Sequence, residues 1–348
     1  MQRGSSRERF ETVVKGGLPD CVPVAVGIDS QFATRYFGER LSKFYQDASV
    51  RTEILMAAQE RFSPDITWQG NVSSQFVELF GGECDYRDDT YPISKGPVFE
   101  TMVDLERARL ASPNEIAAFR TSVETTRALA QRLGERIAIG AIVMGTFNVA
   151  RALIGMERLM RGLLKERDFV LAVVSLACEA ITRVAEDHIA AGAQFIHCPD
   201  ATSSPAVLSP ALYRDVALPY HRRFFEAVKK MGVPTIYHPC GGEYPILCPV
   251  LGMENVEVFH FSELVDPGVA RQIAGPKVIL QAGLNPQVLL HGTPDQVEAE
   301  VHRIIRTAGK DGRLIMGIGC AMPGNTPVAN LDALIQGTRK HGSYPLQS

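Results

Sequence analysis

Residues 233–242 read VPTIYHPCGG, a short apolar run that ends in a His-x-Cys pair on a glycine-rich turn. Side chains two apart on a strand project to the same side, so His238 and Cys240 can offer an imidazole and a thiolate to one ion as the chain leaves the strand. Cys320 is the best third donor, because it closes a second apolar run, 314–319, and opens the loop 320–324. An imidazole with two thiolates suits Zn²⁺, and three protein ligands leave a fourth position open, as catalytic zinc requires. Spacing alone does not demand a metal, since free cysteines also pack as small hydrophobic residues. The context of the three residues has to decide.

That context is an alternation of apolar, β-rich runs with helical patterns. Strand candidates fall at 21–26, 65–68, 136–144, 194–197, 234–237, 256–261, 278–281 and 314–318. Helical patterns cover 7–15, 41–61, 113–133, 156–191 with a break near Asp168, 210–230, 244–251, 267–273 and 294–309, with a last helix from Val328. Such alternation is the signature of a parallel α/β fold, and eight strands close a (β/α)8 TIM barrel, here with an N-terminal helical extension. A doubly wound sheet is the fallback. Residues 70–114, between the second and third strands, carry Gly81-Gly82, Asp88-Asp89 and Lys95-Gly96-Pro97 punctuation. They read as a hairpin-like cover inserted into a single domain spanning 1–348, either a lid or a plain edge. In a barrel the active site is built from the loops after the strands. Asp200, His238, Cys240, His260, Asn285 and Cys320 all follow or end strands in this count.

Composition narrows the function classes. The chain has 348 residues, 45% of them hydrophobic, and a formal charge of −3. It is long enough for a full core, and with no basic run it is not expected to bind nucleic acid. No stretch is long and apolar enough to span a membrane; 314–331 is free of charge until Leu331 but broken by glycines, prolines and asparagines. Seven cysteines, an odd and scattered set without an N-terminal apolar segment, point to a reducing cytoplasm. Cys21, Cys84, Cys178, Cys198 and Cys248 read as packing residues. No P-loop or dinucleotide fingerprint is present.

The chain resembles the uroporphyrinogen decarboxylase superfamily, and within it the zinc- and corrinoid-dependent methyltransferase branch. The likeness rests on the opening GGLPDCVPV at 16–24, on 192–220 with Leu208-Ser209-Pro210 and Leu218-Pro219-Tyr220, on the turn His238-Pro239-Cys240-Gly241, and on Gly319-Cys320 with Thr326-Pro327 and Asn330. The resemblance implies a (β/α)8 barrel, a zinc ion held by His238, Cys240 and Cys320, and a corrinoid (cobalamin) supplied by a partner protein. The chain departs from the decarboxylases where they carry an arginine-rich stretch for substrate carboxylates, reading VAVGIDSQF at 24–32. It also reads AGLNP at 282–286 in place of the family's Gly-Asn-x-Asp-Pro turn.

Two chemistries fit that branch. In one, zinc polarises the oxygen of a methylated donor while Co(I) takes the methyl group, and an acid assists the leaving oxygen; Asp200, Glu243 and His260 are the candidates. In the other, zinc holds a thiol acceptor, coenzyme M or similar, as the thiolate that attacks methylcobalamin. Asp29, Gln31 and Phe32, after the first strand, are placed to line a small-molecule pocket. Phe32, Trp68, Tyr86, Met144 and Phe147 make its expected mouth apolar and aromatic, and an anionic thiol would call for a close arginine, with only Arg35 and Arg151 at hand. The first chemistry, O-demethylation of an aromatic donor, is therefore the leading expectation and the thiol methyltransferase the alternative. A decarboxylase or a non-catalytic barrel ranks below both, and a homodimer stays open.

Overall fold

The computed structural model describes residues 4–241, 255–281 and 283–346. Its strands are β1 (Ile66–Gly70), β2 (Cys84–Asp85), β3 (Ile93–Ser94), β4 (Ala138–Ile142), β5 (Phe195–Pro199), β6 (Thr235–His238), β7 (Val258–His260), β8 (Ile279–Gln281) and β9 (Leu314–Ile315). β2 and β3 pair antiparallel, and the other seven form one parallel sheet in the order β1-β4-β5-β6-β7-β8-β9. The first expected strand closes the ring through single bridges, Val24 to Met316 on one side and Ala25 to Ile66 on the other. It is short of a full ladder for a local reason. Pro23 has no N–H to give, and the Val24 N–H is taken by the Asp65 carboxylate at 2.9 Å. The barrel expected from eight apolar runs is thus the observed fold.

Alternation along each strand builds two cores. Outward residues such as Ile139, Ile196, Tyr237, Phe259 and Leu280 pack under the helices, whereas Ala25, Ile66, Ala138, Phe195, Ile236, Val258, Ile279 and Ile315 fill the barrel axis. The N-terminal helix, Ser6–Val14, is started by a capping box between Ser5 and Glu8 and plugs the base with Phe10 and Val13. The Phe10 ring sits 5.2 Å from that of Phe195. Arg9 ties this plug to the ring by pairing with Asp20 at 2.7 Å and with Asp65 at 2.9 Å.

Several boundaries differ from the expectation. The 41–61 pattern is two helices, Leu41–Gln46 and Ala48–Phe62, because Asp47 leaves the helical region and caps the second. The 156–191 pattern does break close to where expected, at Glu166, into Met156–Lys165 and Arg167–Ala190. Helices Ser30–Phe37, Thr146–Ile154 and Pro286–His291, each following a strand end, were not expected. The 70–114 excursion is less of a hairpin than its punctuation implies. It holds a 3-10 turn at Ser73–Phe80, the two-residue β2 and β3, and a helix at Met102–Arg107. The helix expected at 244–251 lies outside the described residues. Among the described residues no helix is long and apolar enough to cross a membrane.

Candidate active site

One step above the apolar axis, the inward positions turn polar. Trp68, His197, His238, His260 and Gln281 each stand two residues beyond Ile66, Phe195, Ile236, Val258 and Ile279, so the same alternation that buries the axis aims these side chains into the space above it. They line a cavity of about 370 Å³ at the C-terminal ends of the strands. The rings are layered, with Trp68 4.8 Å from His197 and His238 4.2 Å from His260. Gly27 permits this, since a Cβ there would meet the Trp68 indole at 2.5 Å.

Backbone carbonyls set the tautomers. A carbonyl only accepts, so His260 donates from Nε2 to Ile318 O at 2.6 Å, and its Nδ1 is left to accept from His197 Nε2 at 3.1 Å. Burial pushes both His260 and His197 well toward the neutral form, His197 to about 3. His238 donates from Nδ1 to His260 O at 3.0 Å, which leaves Nε2 as its basic nitrogen.

His238, Cys240 and Cys320 are brought together, with their ligand atoms all within 4.8 Å of one another. Cys240 holds a left-handed backbone, φ +65°, a conformation costing an L residue roughly 1–2 kcal/mol, and Gly241 follows at +76°. That turn carries the Cys240 sulfur to 3.4 Å from Cys320 Sγ. The separation is far too long for a disulfide. It is close to the roughly 3.8 Å expected of two thiolates 2.3 Å from one tetrahedral zinc. The neighbouring Cys240 and His238 pull the Cys320 thiol below its ordinary value, which favours the thiolate form there. The fixed Nδ1–H on a carbonyl is the usual outer partner of a metal-bound imidazole. Donor types, spacing and this outer contact all fit zinc.

The other expected site residues are distributed differently. Asp29 lines the cavity and caps Ser30–Phe37 through Gln31 N and Phe32 N, while Tyr91 from the 70–114 excursion donates to it at 2.6 Å. Gln31 is half-buried beside Gly324, and Phe32 stacks on Tyr36 in the packed interior; neither lines the cavity. Asn285 caps Pro286–His291 outside it. Asp200 is fully buried behind the wall. Its oxygens accept from Phe147 N at 3.0 Å, Asn148 N at 2.9 Å and His221 Nε2 at 3.0 Å, which holds the start of helix Thr146–Ile154. Gly145 makes room, as a Cβ there would lie 2.3 Å from that of Asp200. Glu243 lies outside the described residues. Of the expected aromatic mouth, Trp68 and Met144 line the cavity, whereas Phe147 is core and Tyr86 turns its hydroxyl to Glu78.

Two residues of the site were not anticipated. His197 shares the pattern apolar-x-His at a strand end with His238 and His260, a repeat visible in the sequence. Arg51 lines the cavity and is 1% exposed. It sits on the buried stripe of helix Ala48–Phe62 with Ile54, Leu55, Ala58 and Phe62, a helical spacing that marks it as inward-facing.

The fold is a (β/α)8 barrel with a soft His-Cys-Cys donor set at the C-terminal ends of its strands. A family model described as uroporphyrinogen decarboxylase (URO-D) matches residues 5–341, and the chain belongs to that family. A uroporphyrinogen decarboxylase of Gloeobacter violaceus is 31% identical over 253 residues, 68% of this chain and 70% of the relative. A methylated-thiol–coenzyme M methyltransferase of Methanosarcina mazei is 24% identical over 337 residues, 95% of this chain and 88% of the relative. The methylcobamide:CoM methyltransferase MtbA of the same organism is 25% identical over 217 residues, 62% of each chain. Among solved structures, a methyltransferase from Methanosarcina mazei superposes with a TM-score of 0.88 at 21% identity, over 97% of this chain and 98% of that one.

Proposed function

We propose that this chain is a methyltransferase that moves a methyl group from the corrinoid of a partner protein to a thiol held at His238, Cys240 and Cys320. The observation that carries the reading is the convergence of one nitrogen and two sulfurs on the wall of a largely apolar cavity. Zinc bound there would supply the positive charge that keeps a thiol substrate ionised at neutral pH. The chain's own residues do the rest. His260 O fixes the His238 tautomer, Cys240 and Cys320 offer two further donors, and Trp68, Met144, Ile318 and Met322 keep water from the sulfur. The substrate sulfur's lone pair forms the new S–CH₃ bond as the Co–CH₃ bond breaks, and that bond pair stays on cobalt as Co(I). No proton has to be delivered in this step.

That last point separates the two chemistries. An ether oxygen leaves poorly without a proton, and of the three acids expected to give one, neither Asp200 nor His260 is placed to do so. Asp200 is behind the wall and spent on a helix start, and both ring nitrogens of His260 are engaged. The relatives named as coenzyme M methyltransferases support the same choice, so the thiol reading displaces the aromatic O-demethylation expected first. Decarboxylation of a many-carboxylate tetrapyrrole is less well supported, since Arg51 is the one Lys or Arg among the described residues lining the cavity. The Tyr91 contact to Asp29 supports a covering role for residues 70–114.

The test is to incubate the zinc-loaded protein with methylcobalamin and a panel of thiols, and with cob(I)alamin and a panel of methoxyarenes, following the corrin spectrum. Thiol-dependent demethylation of methylcobalamin is expected. Methylation of cob(I)alamin by a methoxyarene with no thiol reacting would reverse the choice.

A further inference from the structure

His260 touches both halves of the donor set. Its backbone O accepts from His238 Nδ1 at 3.0 Å, and its ring Nε2 donates to Ile318 O at 2.6 Å, two residues ahead of Cys320. The other ring nitrogen, Nδ1, accepts from His197 Nε2 at 3.1 Å and from Gln281 Nε2 at 3.3 Å. Groups from β5, β6, β8 and the chain beyond β9 thus meet on one residue of β7. The ring is buried and stacks on His238, with centroids 4.2 Å apart and planes at 30°.

The stretch that delivers Cys320 needs such a tie. Residues 317–320 run on from the two-residue β9 as Gly-Ile-Gly-Cys. Close approach demands both glycines, since a Cβ at Gly317 would meet Ala25 O at 3.0 Å and one at Gly319 would meet Glu263 N at 2.6 Å. The backbone on either side of Ile318 is freer for it. Leu284 bridges the stretch from one side, giving its N–H to Gly317 O at 3.2 Å and accepting from Gly319 N at 2.8 Å. In a parallel bridge the residue flanked in this way turns its own N–H and C=O away from that partner, so the Ile318 carbonyl has to be met from elsewhere. The His260 ring meets it. His197 and Gln281, by donating to Nδ1, keep the proton on Nε2 where the carbonyl needs it. A histidine that only filled space in the wall would need neither nitrogen.

We propose that His260 is a positioning residue for the metal centre: it holds His238 through its backbone and the Cys320 stretch through its ring, so that one nitrogen and two sulfurs keep the separation a single ion requires. This role takes the place of the acid role expected of His260. It rests on the metal part of the function proposed above and is independent of which group accepts the methyl.

The test compares the parent chain with His260→Leu, His260→Asn and His260→Gln. Zinc affinity is measured by competition with a chromophoric chelator, the thiolate-to-metal charge-transfer bands are recorded on the cobalt(II)-loaded protein, and the metal-free melting temperature is taken for each. A glutamine amide N–H reaches to where Nε2 stands and can still donate to Ile318 O, whereas an asparagine amide stops where Nδ1 stands. Zinc affinity should fall about ten- to a hundredfold in His260→Leu and His260→Asn and stay within a few-fold of the parent in His260→Gln. The cobalt spectra should divide the same way, with the weaker charge-transfer intensity of a site short of one thiolate in the first two variants and the parent's bands in the third. If His260→Leu does not fold, His260→Asn against His260→Gln decides. A lowered metal-free melting temperature with zinc affinity and cobalt bands unchanged would make His260 a packing residue and overturn the proposal. So would an equal loss of zinc affinity in His260→Gln and His260→Asn. A parent chain that binds neither zinc nor cobalt would sink the metal reading itself, and this proposal with it.

Discussion

Cys240 and Cys320, 80 residues apart in the chain, place their sulfurs 3.4 Å from each other and share the site with His238. The contact depends on a left-handed Cys240, which a packing cysteine would have no reason to adopt. Two sulfurs this close repel less as thiolates with a cation between them.

The first expected outcome is stoichiometric zinc. Elemental analysis should find about one zinc per chain in the parent protein and a loss of most of it in Cys240→Ala and in Cys320→Ala. Unchanged zinc in both variants would remove the three residues from the metal.

Chelation should abolish methyl transfer and leave the fold standing. The barrel axis is filled by Ile66, Phe195, Ile236, Val258 and their neighbours, all fully or nearly fully buried and none dependent on the ion. The apo-protein should keep its circular dichroism spectrum and a cooperative melt, unlike a zinc finger. Loss of the cooperative melt would make the site structural.

Asp200→Asn should act on stability rather than on chemistry. The substitution weakens charge-assisted bonds to Phe147 N, Asn148 N and His221, at a cost of about 2–4 kcal/mol. Methyl transfer per folded molecule should remain within a few-fold of the parent. A loss of about a thousandfold in turnover with unchanged stability would return Asp200 to the catalytic group.

The eight-run alternation made the barrel legible in the sequence, whereas the apolar-x-His repeat at the ends of β5, β6 and β7 was there to be read and His197 was missed. The convergence of His238, Cys240 and Cys320 was legible too, because Cys240 and Cys320 both end apolar runs. What escaped was anything set by packing between distant segments. Asp200 and Asn285 sit after strands, where catalytic residues sit, but a helix starts beside each and takes the carboxylate or amide as its cap. Arg51 was not singled out, because its helix carries charges on several faces, and only the stripe through Ile54, Leu55, Ala58 and Phe62 marks it as inward. Phe32 and Phe147 went to the core because short helices after their strands turn them away from the mouth.

His188 provides a pH test away from the site. It is buried between Thr126, at 2.9 Å from Nδ1, and Ser122, and burial depresses it from 6.5 to about 3. The folded state keeps it neutral, so below pH 6.5 the unfolded chain binds a proton that the folded chain does not. Stability is full above that value and falls as pH drops from 6.5 toward 3. Urea unfolding of His188→Gln should show a smaller loss between pH 7.5 and pH 5 than the parent does; equal slopes would refute the assignment.

The most direct measurement of the central claim is zinc X-ray absorption on the metal-loaded protein before and after adding the thiol that accepts the methyl group. The account predicts two sulfurs and one nitrogen from the chain with a light-atom ligand at first, and a third sulfur in place of that ligand once the thiol is bound. A zinc shell that keeps two sulfurs in the presence of saturating thiol would contradict it.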